Sequence, residues 1–283
     1  MNESVAQTDG KEIVPEKEVE NITTPATKGH VLDIAPGSLA VDLPCGWIHD
    51  GNKIETTAIV REMRGYEEDL LAAKGPAVTR LNAIIGNCVE QLGVISDRAT
   101  IQKAAIELTA HDRMIILLGI RRVSLGDFFD IKVICPNPDC KVTQHKTLNL
   151  SEIEIIPMPD RMERERIDKM PSGIEIAWHV LRSEDEEWLG TQKNKKNDRL
   201  TLGLLARVDA VGAVKIDRVK SYREAVSALK KLSVRDRAAL RDIFDEQEGS
   251  IDTKVEFDCD ECGHTWEGDM EIGQPGFFFP SAK

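Results

Sequence analysis

Two segments of this chain follow one pattern, and each ends in a pair of cysteines. Leu108-Thr109-Ala110-His111-Asp112-Arg113 leads to Cys135 and Cys140, and Leu232-Ser233-Val234-Arg235-Asp236-Arg237 leads to Cys259 and Cys262. Arg113 and Cys135 are 22 positions apart, and so are Arg237 and Cys259. Two cysteine pairs at the same place in two similar segments imply one shared four-thiolate metal site that joins two copies of one unit.

The ligand spacing supports this reading. Cys135 to Cys140 is a C-x4-C pair stiffened by Pro136 and Pro138, and Cys259 to Cys262 is a C-x2-C pair followed by Gly263. Knuckles of this kind supply two thiolates each to tetrahedral zinc. The expected metal ligands are therefore Cys135, Cys140, Cys259 and Cys262, with zinc as a structural cofactor. An iron–sulfur cluster also takes four thiolates, so the metal itself is left open. His145 and His264 lie near the pairs and are candidates to replace a cysteine. A site with four thiolates and no open position contributes to folding rather than to hydrolysis. Cys45 and Cys88 stand alone and read as small buried side chains.

A second layer of similarity lies upstream. Leu43-Pro44-Cys45-Gly46 resembles Met170-Pro171-Ser172-Gly173, and Pro followed by Gly two positions later marks a turn. Alternating stretches follow at Ile54 to Val60 and Ile174 to Val180, the pattern of half-buried strands. Acidic helix starts come next, at Glu67-Glu68-Asp69 and Glu184 to Glu187, where carboxylates favour the positive end of the helix dipole. They read as solvated capping charge. Trp47 to Asn52 are extra in the first copy and read as a hairpin around Asp50-Gly51-Asn52. Helices are expected over Val78 to Leu92, Asp112 to Arg121, Leu200 to Val208, Tyr222 to Leu232 and Asp236 to Phe244. Strands at Phe129 to Ile134 and Thr253 to Phe257 deliver the cysteines. The expected fold is α+β: two pseudo-repeats of strand, helices and strand that share one split zinc ribbon about a pseudo-twofold axis. The expected divisions are a disordered acidic arm over 1–29, a first repeat over 30–160 and a second over 161–283.

The chain has 283 residues, of which 41% are hydrophobic, enough for a sizeable core. Its formal net charge of −12 repels phosphates over most of the surface and suits protein partners. No apolar run approaches the length of a membrane span, and the N-terminus lacks the pattern of a secretory signal. The expectation is a cytoplasmic protein without a membrane partner. Phosphate-loop, dinucleotide, H-E-x-x-H and G-x-S-x-G motifs are absent from the sequence, so no catalytic residue is assigned and a non-enzyme is expected. Lys193-Asn194-Lys195-Lys196 reads as a solvated loop or an interface rim. Of the adjacent aromatics Phe277 to Phe279, at least one should cover the ribbon or core and another should meet a partner.

Taken together, Leu43 to Gly46, Met170 to Gly173, Asp112-Arg113, the four knuckle cysteines and Phe277 to Pro280 resemble the baseplate hub and hub-assembly proteins of T-even-like contractile-tailed bacteriophages. Cys45 departs from the pattern, which has Ser there. The resemblance implies a phage or prophage tail protein, either a baseplate hub component or an assembly chaperone. It implies other tail and baseplate proteins as partners, in the host cytoplasm during assembly or in the virion baseplate. The rival reading is a zinc-ribbon nucleic-acid or transcription adaptor. That rival needs basic residues around the knuckles, but Asp139, Asp258, Asp260, Glu261, Glu267 and Asp269 surround them, against Lys132 and Lys141.

Overall fold

The computed structural model describes residues 35–192, 199–270 and 275–278. The arm over 1–29, the basic run Lys193 to Lys196 and Phe279 lie outside the described residues. The chain mixes helices with small antiparallel sheets.

Strands β1 (Ser38–His49) and β2 (Lys53–Arg61) form a hairpin. Asp50 and Gly51 have φ of 45° and 86°, the positive values that a tight hairpin turn requires. Helices α1 (Gly65–Ala72) and α2 (Ala77–Cys88) follow, and β3 (Val89–Leu92) returns to pair with β2. The helix expected to reach Leu92 thus ends at Cys88, because Val89 to Leu92 find partners along β2. Helix α3 (Arg98–Glu107), N-capped by the Asp97 side chain on the Thr100 N–H, has no counterpart among the expected elements. Helix α4 (Ala110–Leu125) is buried on nearly every side, with Ile115, Ile116, Leu117, Leu118 and Ile120 all inside. It lies so close to the hairpin that a Cβ on Gly119 would come within 2.5 Å of Val41 Cγ1. Strands β4 (Phe128–Ile134), β5 (Thr143–Asn149) and β6 (Ile155–Ile156) complete the first half.

The second half runs through β7 (Glu165–Lys169), β8 (Glu175–His179), α5 (Ser183–Thr191), α6 (Arg199–Leu205), β9 (Val208–Val211) and β10 (Val214–Lys215). It continues through α7 (Tyr222–Lys231), α8 (Val234–Gln247), β11 (Ser250–Ile251), β12 (Lys254–Asp258), β13 (Thr265–Asp269) and the short α9 (Pro275–Phe278). The helix expected to reach Val208 stops at Leu205, since Val208 already pairs with Trp178 in β8. Strand β11 pairs with β6, which ties the halves together.

Matching local geometry recurs in the two halves. Ala58, Ile59 and Val60 face Leu92, Gln91 and Val89, while Ile176, Ala177 and Trp178 face Val211, Ala210 and Val208, and each pairing has an irregularity before its last member. Gly93 and Gly212 donate to Thr57 O and Glu175 O, both at 2.7 Å. Their φ values are 56° and 55°. Asp112 and Asp236 both accept their own N–H-capping residue's hydroxyl, Thr109 and Ser233, each at 2.8 Å.

Two sequence expectations need correction here. Leu43 to Gly46 is not a turn but a bulge within β1, where the register with β2 shifts between Asp42 and Trp47. Met170 to Gly173 is a true turn, closed by Gly173 N–H on Met170 O at 2.8 Å. The first hairpin continues six residues further, so the same Pro-x-Gly motif bends a strand in one place and reverses it in the other. The acidic helix starts are not simply solvated either. Glu67 is 2% exposed and pairs with Arg61 at 3.1 Å. Asp185 is fully buried, accepts from Arg218 and lies 3.2 Å from His179 Nε2. His179 also lies 2.8 Å from Asp209. Arg61 and His179 each stand six positions before their acid, at the ends of β2 and β8.

Two cores result. One gathers α2, α3 and α4 with β1 to β3, and it also takes Ile251, Phe257, Met270, Phe277 and Phe278 from the end of the chain. The other gathers Trp178, Leu205, Leu229, Leu240 and Phe244, and it takes Cys45 from the first half. Phe277 and Phe278 are 2% and 3% exposed. Both are core residues, so neither is available as the partner contact expected of that segment.

Candidate metal centre

The site is built on two β-ribbons, β4–β5 and β12–β13. Each ribbon carries its cysteines at the turn. In the first knuckle Cys135 N–H donates to Val142 O at 3.0 Å, and the N–H groups of Cys140 and Lys141 share Asn137 O at 3.0 and 3.1 Å. In the second, Cys259 N–H donates to His264 O and Gly263 N–H to Cys259 O, both at 2.9 Å. Gly263 has φ of 66° and Lys141 has φ of 49°. The longer first loop thus needs the same left-handed residue as the shorter one, and it places a lysine there despite the steric cost.

The four sulfurs converge, all within 4.8 Å of one another. Cys135 Sγ lies 3.8 Å from Cys262 Sγ, and Cys140 Sγ lies 3.7 Å from Cys259 Sγ. Sulfurs placed tetrahedrally around zinc at about 2.3 Å are about 3.8 Å apart. The close pairs cross between the two knuckles, over 127 and 119 residues of chain. His145 and His264 are both exposed and stand outside this group. Cys135 and Cys259 are buried, while Cys262 faces solvent. Cys45 and Cys88 are buried far from it in sequence, in the two cores.

Polar groups outside the thiolates hold the site in shape. Gln144 on β5 donates Nε2–H to Cys259 Sγ at 2.9 Å and accepts the Asp260 N–H at 3.0 Å. Asn137 Nδ2 donates to Cys262 Sγ at 3.6 Å. Lys146 reaches Asp260 at 2.6 Å. The sequence contained no signal for Gln144 beyond its place four residues after a ligand. Burial opposes ionisation of Cys259, but the N–H groups of Cys262 and Glu261 outweigh it and hold the thiol down at about 6. Burial together with the neighbouring thiols pushes Cys135 up to about 12. Four thiols this close cannot all ionise against one another unless a cation neutralises them. The donor set fits a soft or borderline divalent metal and offers no open position.

The end of the chain packs beneath this site. Phe277 meets Phe129 of β4 edge-on, with ring centroids 5.2 Å apart. Arg121 of α4 donates to the carbonyls of Phe277, Gly126 and Phe128 at 3.1, 2.7 and 3.2 Å. One buried guanidinium thereby fixes the base of the first ribbon and the C-terminal segment to the central helix. No helix among the described residues is long and apolar enough to cross a membrane.

The model of the family described as T4 bacteriophage base plate protein matches residues 60–279. No curated protein and no solved structure matches. The matched span contains both knuckles, Met170 to Gly173 and Asp112-Arg113, and the family agrees with the resemblance in which those residues take part. The chain belongs to the T4 bacteriophage base plate protein family.

Proposed function

We propose that this chain is a non-enzymatic scaffold of the phage tail baseplate, a hub component or a hub-assembly factor, in which one zinc ion clamps two copies of a single structural unit. The observation that carries the proposal is the family match over residues 60–279, which spans both knuckles. The crossed sulfur pairs at 3.7 and 3.8 Å support a single tetrahedral ion. A multi-iron cluster must fit several metal and sulfide atoms between the cysteines, and these spacings leave room for one atom. The recurring strand register, glycine turns and Asp112 and Asp236 caps support the duplication. A closed thiolate site joins distant parts of the chain and leaves no position for substrate.

The partners are other baseplate proteins, met in the host cytoplasm during assembly. The acidic net charge of −12 disfavours nucleic acid. The test is a pull-down of the full chain from cells making the tail proteins, combined with mass spectrometry of mature particles. Tail proteins in the pull-down support the proposal. Presence in the particle then assigns a hub component, and absence assigns an assembly factor. Salt-sensitive recovery of DNA or RNA without any tail component would establish the nucleic-acid adaptor instead.

A further inference from the structure

An apolar groove of about 590 Å³ opens on the second half, between α7 and the β8–β9–β10 sheet. Ile174, Val211, Val214 and Ala228 form its floor, and Arg223 and Lys231 stand at its rim with Glu224. Val214 is 55% exposed and Ile174 is 38% exposed. Apolar side chains left this bare beside a concave surface mark a site for something else to cover.

The corresponding place on the first half is already covered. Val211 pairs with Val214 as Leu92 bridges to Ile95. Lys231 and Leu232 precede the cap Ser233 as Glu107 and Leu108 precede the cap Thr109. Leu92 and Ala104 are 1% and 0% exposed, whereas their counterparts Val211 and Ala228 are only half-buried. The cover is the extension of the first hairpin. Trp47 is 5% exposed, belongs to the same buried cluster as Leu92, Ala104 and Leu108, and donates its indole N–H to Glu107 Oε2 at 3.1 Å. In the second half the hairpin turns back at Met170 to Gly173, so it brings only Ile174, beside its turn, to the groove. The groove is the first half's Trp47 site without its tryptophan.

One exchange alters the chemistry. Lys231 stands where Glu107 accepts the indole N–H, so a donor replaces an acceptor. We propose that the groove takes an aromatic side chain from another protein, carried on an extended segment or hairpin with a neighbouring carboxylate that pairs with Lys231. The net charge of −12 sets two copies of this chain against each other, so the partner is a different protein. This inference rests on the correspondence between the halves. It adds the chemistry of one contact to the proposed tail role.

The test places the photo-crosslinking residue benzoylphenylalanine at Val214 of the full chain, in cells that make the tail proteins. The cross-linked segment is mapped by mass spectrometry and made as a synthetic peptide. The expected segment comes from another protein and carries an aromatic residue close to an Asp or Glu. Its affinity should fall at least tenfold with Lys231→Glu and with Ile174→Asp, at unchanged melting temperature, and should be unaffected by Lys103→Glu on the covered helix α3. Several results would overturn the assignment: no cross-link, a cross-link only to residues 1–34 of the same chain or to a second copy, a segment lacking an aromatic residue, or an affinity indifferent to Lys231→Glu. Recovery of tail proteins without the cross-link sinks the groove alone. Failure to recover them sinks the tail role separately.

Discussion

Asp112, at the start of α4, accepts the backbone N–H of Cys45 in β1 at 2.8 Å, across 67 residues of chain. The same oxygen accepts the Gly46 N–H at 3.0 Å. The carboxylate therefore satisfies the two amides that the β1 bulge withdraws from the sheet, and its other oxygen accepts the Thr109 hydroxyl. From the far side, Arg164 of the second half takes the carbonyls of Cys45 and Gly46 at 2.7 and 2.9 Å. Asp236 makes the related bond to Ser172 N–H at 2.9 Å. Asp112→Ala should cost about 3 kcal/mol, because it strands two buried amides. Asp236→Ala removes a single such bond to a surface turn and should cost less. Denaturant unfolding of the two variants measures the difference, and equal losses would contradict it.

Gly119 gives a prediction opposite in sign to the usual rule. Gly→Ala inside a helix ordinarily stabilises by about 1 kcal/mol. Here the new methyl would meet Val41 Cγ1 at 2.5 Å and Val60 Cγ2 at 3.3 Å. Gly119→Ala should destabilise by about 1–3 kcal/mol through overpacking of α4 against the hairpin. Gly190, whose Cβ would meet nothing within 4 Å, is the control. Thermal melting of both variants decides the point.

His179 makes the second half sensitive to alkali. Burial disfavours its imidazolium, but Asp185 and Asp209 outweigh burial and push its pKa up to about 9. Its folded value lies above the unfolded value of about 6.5, so its contribution is complete below about pH 6.5. That contribution is lost as pH rises through about 9. Arg61, in the matching position, stays charged throughout. Stability should therefore fall between pH 6.5 and pH 9 in the native protein, and His179→Gln should flatten that slope. A slope unchanged in the variant would rule His179 out as its source.

Gln144 is expected to matter for metal retention although it is not a ligand. Replacing it with Leu removes the N–H donated to Cys259 and the acceptor for the Asp260 N–H. Loss of such an outer partner typically weakens metal binding by about 10–100-fold. Competition with a chromophoric chelator measures it, and retention equal to the native protein would show that Gln144 is dispensable.

The features legible in the sequence were those fixed by rare residues at short spacing. The cysteine pairs, the recurring Asp112-Arg113 and Asp236-Arg237 segments and the Asp50-Gly51 turn are of this kind. Helix α3 was not legible because its buried side is Ile101 with Ala104 and Ala105, too small to stand out as an apolar stripe. The burial of Glu67 and Asp185 was missed although a signal existed, since a basic partner stands six residues before each acid, at Arg61 and His179. Whether Pro-x-Gly bends or reverses a strand depended on the hairpin beyond it, which no local pattern reports. Strands β5 and β13 pair locally with β4 and β12, whereas the contact of Gln144 with Cys259 arises only when the two ribbons meet, so it depends on tertiary packing.

The central claim is that one metal ion clamps the two halves through Cys135, Cys140, Cys259 and Cys262. Elemental analysis by mass spectrometry of the freshly purified full chain, beside the Cys135→Ser and Cys259→Ser variants, tests it most directly. The account predicts one zinc per native chain, and loss of that zinc together with a lower melting temperature when a ligand from either knuckle is removed. One iron per chain would keep the clamp and change its metal. A native chain without bound metal, or variants that keep the metal and melt as the native protein does, would contradict it.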